Sequence, residues 1–168
     1  MTIADPMIYS TSSYLIENLV EMLPAEHIHV VPGISAFQAT AALLVEPLTL
    51  QEDRLTMMPA TDMPAIGRAL DTCETLVLYK VGPRLQQLGA LLQERNLIHQ
   101  ARLACYVEQN GREVIFRDFR EALSDESLGY MSTVIDRVGA AIGSKIRRPP
   151  GTAVHVSPSR RPRRGGCG

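Results

Sequence analysis

Residues 28–45 read IHVVPGISAFQATAALLV. Ile28–Val31 is a short β-branched run stopped by Pro32-Gly33, which predicts a strand running into a tight turn. Ser35 stands at the position of a helix cap, and AFQATAALLV predicts a helix that stops before Pro47. The same order precedes it. MTIA (1–4) predicts the end of a buried strand and Asp5-Pro6 a turn. Thr11 or Ser12 is placed to cap a helix through YLIENLVEML, closed by Pro24. Strand–helix–strand–helix is the rhythm of a parallel α/β layer.

Beyond Pro47 the pattern changes. RLTMMPA (54–60) and ETLVLYK (74–80) predict strands, with MPAIGRALDTC (63–73) a helix between them. RLQQLGALLQERN (84–96) places Leu85, Leu88, Leu91 and Leu92 on one helical face. ARLACYVEQ (101–109) and REVIFRD (112–118) flank Asn110-Gly111, a strong hairpin signal. YMSTVIDRV (130–138) predicts a last strand. The expectation is an α/β protein in three parts. Residues 1–47 belong to one α/β unit and 48–138 to a second with a mixed sheet and flanking helices. Residues 139–168, rich in Gly, Pro, Ser and Arg, form a tail too polar to offset its ordering entropy.

Composition narrows the function classes. The net charge of −1 hides an asymmetry: residues 139–168 carry seven basic residues and no acid. Residues 1–138 therefore hold ten of the 17 Lys and Arg against all 18 Asp and Glu, a net −8. So acidic a body does not suit nucleic-acid binding, and a solvated tail is the simpler reading of the basic segment. No run of eighteen apolar residues predicts a membrane span, and no secretory leader is visible. Cys73, Cys105 and Cys167 are too widely spaced for a disulfide framework or a metal knuckle, consistent with a reducing, cytoplasmic setting. His27, His29, His99 and His155 have no ligand spacing, so no protein-bound metal is expected.

Candidate chemistry gathers at strand–helix turns. Asp5 can accept hydrogen bonds from ligand hydroxyls or amines, beside a helix start with unpaired N–H groups. Gly33 permits a positive φ or a close ligand approach, and Ser35 offers a hydroxyl at a second helix start. Each segment alone reads as a plain turn and cap. If the two strands are neighbours, both loops line one crevice beyond the strand ends. Tyr79-Lys80-Val81-Gly82 ends the strongest strand of the second unit and is a third candidate, though an exposed strand-end lysine is the commoner case. Cys105 has no histidine beside it in sequence and reads as a small core residue.

Taken together, ADPMIYSTSSYL, VVPGISAFQATAA, PLTLQEDRLTMMPAT, LYKVGPRLQQL, ACYVEQ and YMSTVIDR resemble the tetrapyrrole methylases, from Thr2 to about Arg137. Within that family the pattern most resembles the enzymes that methylate C-20 of precorrin-2 or cobalt-precorrin-2. The resemblance implies two α/β domains with a cleft between them, the first domain being incomplete here. It implies S-adenosylmethionine as methyl donor, a tetrapyrrole substrate and a homodimer. Ile3, Ala4, Asp5 and Ile8 would hold the donor's methionine and ribose, and Ser35 and Ala36 would form a second donor loop. Lys80, Val81, Cys105 and Tyr106 would enclose the adenine. Tyr9, Ser10 and Thr11 would face the substrate. Alignment of nucleophile, methyl and sulfur is most of such chemistry, and spacing assigns no residue as base.

Two departures from the family pattern matter. The family's loop glycine is Ala4 here, and a Cβ there costs strain if that glycine is left-handed. The family's first strand and its glycine- and proline-rich loop (GxGPGDPxLLT) do not precede Met1. The chain is therefore expected to bind the donor weakly or not at all. The rival readings are another tetrapyrrole methylase, and a non-catalytic dimerising or binding module.

Overall fold

The computed structural model describes residues 5–109, 111–125, 128 and 131–139. Its centre is a five-stranded mixed sheet. The strands are β1 (Leu55–Pro59), β2 (Thr75–Tyr79), β3 (Ala101–Cys105), β4 (Val114–Phe116) and β5 (Ser132–Asp136). The order across the sheet is β1-β2-β5-β3-β4. β1 and β2 are parallel, joined by α3 (Met63–Leu70), while β5 runs antiparallel to both β2 and β3. Parallel neighbours need such a crossover.

The apolar run TLVLY explains the central position of β2. A strand covered on both faces reads as continuous hydrophobic sequence rather than alternation. Leu76 and Leu78 point into the main core, with Leu85, Leu88 and Leu92 of α4 (Leu85–Glu94), Ile66 and Leu70 of α3, and Phe119 of α5 (Phe119–Ala122). Val77 points to the opposite face, where Phe37, Ala41 and Leu44 of α2 (Ala36–Leu44) cover it together with Ile135.

Local chemistry sets the helix starts. Asp62 Oδ1 accepts from Ala65 N–H at 3.0 Å, with Pro64 in the first turn of α3. Asp118 Oδ1 accepts from Arg120 N–H at 3.0 Å and starts α5, which is too short for its period to show in the sequence. Before α1 (Ser12–Met22), Thr11 is itself helical in backbone and makes no capping bond. Ser10 Oγ instead accepts from Ser12 N–H at 3.3 Å.

The segment between α2 and β1 is tied to the sheet by arginines. Arg137 is buried and donates to the carbonyls of Pro47 (2.8 Å) and Leu48 (2.6 Å), with Asp53 at 3.4 Å. Arg117 donates to the carbonyls of Leu44 and Leu43 at 3.3 and 3.4 Å.

Several expectations change. Ile28–Val31 does not form a strand: its backbone pairs with no strand among the described residues, and a strand exists only through its ladder. The expected strand at residues 1–4 lies outside the described residues, as does the tail from residue 140. Residues 112–118 form a strand only at Val114–Phe116, and the β3–β4 pairing is closed by residues 106–113 rather than a two-residue turn. Asn110 lies outside the described residues, while Gly111 has φ +78°. The apolar face of α1 contributes no buried residue, and Tyr14, Leu15 and Met22 are exposed.

Asp136 is fully buried, and neither carboxylate oxygen has a hydrogen-bond partner. Burial pushes its carboxyl up to about 7, against the opposing charge of Arg102. A raised carboxyl favours the folded state while protonated, and that contribution is lost as pH rises from about 4 through about 7. Asp136→Asn is therefore expected to raise Tm by roughly 5 °C at about pH 8 and by much less at about pH 5. Parallel pH–Tm profiles for the two proteins would contradict this.

Candidate functional site

Asp5 joins the two loops singled out in the sequence. Its Oδ1 accepts from Met7 N–H at 2.8 Å and its Oδ2 from Gly33 N–H at 3.0 Å. Gly33 does not take left-handed backbone; its amide is what the loop uses. The hydroxyls that follow hold the first loop closed. Ser12 and Ser13 Oγ donate to the Pro6 carbonyl at 2.8 and 3.3 Å, and Ser10 and Ser12 Oγ lie 2.7 Å apart.

These loops meet the carboxyl ends of β2 and β3 and the start of β5 around a cavity of about 200 Å³. Ligands of open α/β sheets bind beyond such strand ends. One wall is the loop of Asp5, Ile8, Tyr9 and Ser10, and another is Ile34, Ser35, Ala36 and Ala39 at the start of α2. Tyr79, Lys80, Ala104 and Tyr106, with Met131, Ser132 and Thr133, complete the sheet side. Enclosed small-molecule pockets are usually above roughly 300 Å³, so this cavity suits part of such a ligand.

Strain concentrates here. Among the described residues, seven other than glycine have left-handed backbone, and Tyr9, Lys80, Tyr106 and Glu108 of these line the cavity. Each costs about 1 kcal/mol or more, which folds retain where geometry serves a site. The rings of Tyr9 and Tyr79 are 4.9 Å apart and tilted by 47°. The Arg112 guanidinium lies 4.0 Å above the Tyr106 ring.

Two hydroxyls of cavity-lining residues, Ser35 Oγ and Tyr79 Oη, are themselves buried away from solvent. Ser35 and Gln38 form a capping box: the Ser35 side chain faces the Gln38 backbone N–H, and Ser35 N–H donates to Gln38 Oε1 at 3.0 Å. Burial pushes the Tyr79 phenol up to about 12, against a hydrogen bond from the Phe37 backbone N–H in the first turn of α2. It is a neutral donor at physiological pH.

Of the residues expected at the site, the fold brings together Asp5, Ile8, Tyr9, Ser10, Ser35, Ala36, Lys80 and Tyr106. Ile3 and Ala4 lie outside the described residues. Thr11 is exposed and does not line the cavity. Val81 and Cys105 turn their side chains into the main core. Burial raises the Cys105 thiol to about 11, so it is no thiolate nucleophile. Tyr79, from the candidate segment at the end of β2, also lines the cavity, as do Thr133 and Met131, which were not singled out. Among the described residues no cluster of His, Cys, Asp or Glu could hold a metal ion, and no helix is long and apolar enough to cross a membrane.

Comparison with known proteins places this geometry in a family. The family model for tetrapyrrole (corrin/porphyrin) methylases matches residues 2–122. The cobalt-precorrin-2 C(20)-methyltransferase of Salmonella typhimurium is 31% identical over 136 residues, covering 80% of this chain and 56% of that protein. The precorrin-2 C(20)-methyltransferase of a Sinorhizobium species is 30% identical over 132 residues, 78% of this chain and 51% of that one. The chain thus spans about half the length of these relatives. Among solved structures, the uroporphyrin-III-C-methyltransferase from Thermus thermophilus matches with a TM-score of 0.59 at 25% identity, over 80% of this chain and 61% of that one. A uroporphyrin-III C-methyltransferase from the same organism, complexed with S-adenosylhomocysteine, matches with a TM-score of 0.54 at 18% identity, over 79% and 62%. The chain belongs to the tetrapyrrole (corrin/porphyrin) methylases.

Proposed function

We propose that the cavity is part of the donor site of an S-adenosylmethionine-dependent C-methyltransferase acting on C-20 of precorrin-2 or cobalt-precorrin-2. The observation that carries this is the Asp5 bridge to Gly33, which brings the two loops matched to the family's donor motifs against one cavity. The residues present fit such a donor. Ile8, Ile34, Ala36 and Ala39 offer apolar walls, with Ser10, Ser132 and Thr133 as polar residues among them.

The bound donor would supply a methyl group already activated on sulfonium. This chain's residues then have to orient it and exclude water. The strained backbones of Tyr9, Lys80 and Tyr106 present their side chains in fixed directions for that purpose. The Asp5 carboxylate is committed to two backbone amides, so it shapes the loop rather than serving as a base. The boundary at residue 47, the homodimer and a cytoplasmic setting belong to the same reading.

A second reading, methylation of a different tetrapyrrole, has support from the solved structures of similar fold, which include uroporphyrin-III and cobalt precorrin-4 enzymes. Turnover with precorrin-2 and with later intermediates separates the two: methylation at C-20 alone is expected.

S-adenosylhomocysteine is expected to bind this chain with a dissociation constant weaker than about 1 μM, because a cavity of about 200 Å³ encloses only part of it. Submicromolar binding by calorimetry would overturn that expectation. Asp5→Ala removes two charge-assisted bonds to backbone amides. It is expected to weaken this binding roughly tenfold or more and to lower Tm by a few degrees. Wild-type affinity in this variant would show that the bridge does not shape the site.

A further inference from the structure

The end of α2 needs partners that the helix cannot supply. Its last four carbonyls are those of Ala41, Ala42, Leu43 and Leu44. Glu46 N–H donates to Ala41 at 3.0 Å and Val45 N–H to Ala42 at 3.1 Å. Leu43 would take the amide four residues on, but that residue is Pro47, which has none. The Leu43 and Leu44 carbonyls instead accept from Arg117, the residue after β4, at 3.4 and 3.3 Å. Arg117 also sets a cation at the negative end of the helix. Val45 closes the turn in left-handed backbone, φ +58° and ψ +38°, although it is β-branched and exposed. Strain of that kind persists where the surroundings over-determine it.

The next residues are held as closely from the sheet. Arg137, the residue after β5, donates to the Pro47 and Leu48 carbonyls, and Thr75 Oγ1 at the start of β2 donates to that same Leu48 carbonyl at 2.6 Å. Arg102 of β3 meets Glu46 at 3.4 Å. Arginines from three neighbouring strands thus grip residues 43–48, and none of them lines the cavity. The cavity residues Ser35, Ala36 and Ala39 lie at the other end of α2. The apolar contact of α2 with Val77 and Ile135 is non-directional, so it does not by itself fix the helix along or about its axis. Charge-assisted hydrogen bonds at the far end are directional and do.

We propose that Arg117 and Arg137 are positioning residues for the cavity: they set the register of α2 on the sheet, and so the place of the Ser35–Ala36 wall against which the donor binds. This rests on the donor-site reading above. Neither arginine touches the ligand; both act through the helix.

The test uses the full chain and its Arg117→Ala, Arg117→Lys and Arg137→Lys variants. Ile66→Val, in the core under α3, is the control for stability alone. Arg117 is exposed, so its variants keep the fold. S-adenosylhomocysteine is titrated by ligand-observed NMR up to millimolar concentration, at a temperature well below every Tm. Amide shifts are recorded without ligand. Arg117→Ala and Arg137→Lys are each expected to bind about fivefold or more weakly, because less of each population holds the competent register. Amide shifts at Ser35, Ala36 and Ala39 are expected to move in both before ligand is added. Arg117→Lys, whose ammonium still reaches the helix-end carbonyls, is expected to recover most of the affinity. Ile66→Val is expected to lower Tm by a few degrees and to leave the affinity unchanged. Wild-type affinity in Arg117→Ala or in Arg137→Lys overturns this proposal alone. So does an equal loss in Ile66→Val, since affinity would then track stability and not position. Failure of the wild type to bind at all overturns both the proposal and the donor-site reading.

Discussion

The site depends on one packing contact, that of α2 against the second face of the sheet. Phe37, Ala41 and Leu44 cover Val77 and Ile135, and the side chains of Phe37 and Leu44 are almost wholly removed from water. Burying two such side chains contributes on the order of 3–6 kcal/mol. That contact fixes the start of α2 beside the end of β2. It thereby sets Ser35 and Tyr79 in one cavity wall. Arg117 secures the other end of the helix by binding the carbonyls of Leu43 and Leu44. Arg137 then holds the next turn of chain at Pro47 and Leu48.

From this seat the polar architecture follows. Asp5 reaches from one loop to the amide of Gly33 in the other, so the loop of Tyr9 and Ser10 is carried to the same place. The cavity wall then includes four residues in left-handed backbone. That feature lowers stability. Its concentration at the cavity is what a binding site costs the fold that holds it.

The second half of the fold was legible because its signals are local and strong. TLVLY is apolar without interruption, and Leu85, Leu88 and Leu92 repeat at helical spacing, so both elements appear within a residue or two of their expected ends. Ile28–Val31 was misread because β-branched residues declare an extended backbone but not the ladder that makes it a strand. Thr11 stands at the cap position of α1 but makes no side-chain capping bond, because Ser10, Thr11 and Ser12 all carry hydroxyls and only the loop geometry chooses among them. Alternation along β3 puts Cys105 on the face of Ala101 and Leu103, so its inward direction could have been read from the period of two. Tyr79 was named only as part of a strand-end segment; that its hydroxyl meets the Phe37 backbone depends on α2, which no local pattern describes.

The central claim is that donor binding is built on the Asp5 and Ser35 loops closing over the ends of β2 and β3. Residue-resolved NMR of the chain during titration with S-adenosylhomocysteine tests it most directly. The account predicts the largest shift changes at Ile8, Ser35, Ala36, Tyr79 and Tyr106, with Leu88 and Leu92 in the far core unmoved. Saturable changes that leave the first five untouched and gather elsewhere would contradict it.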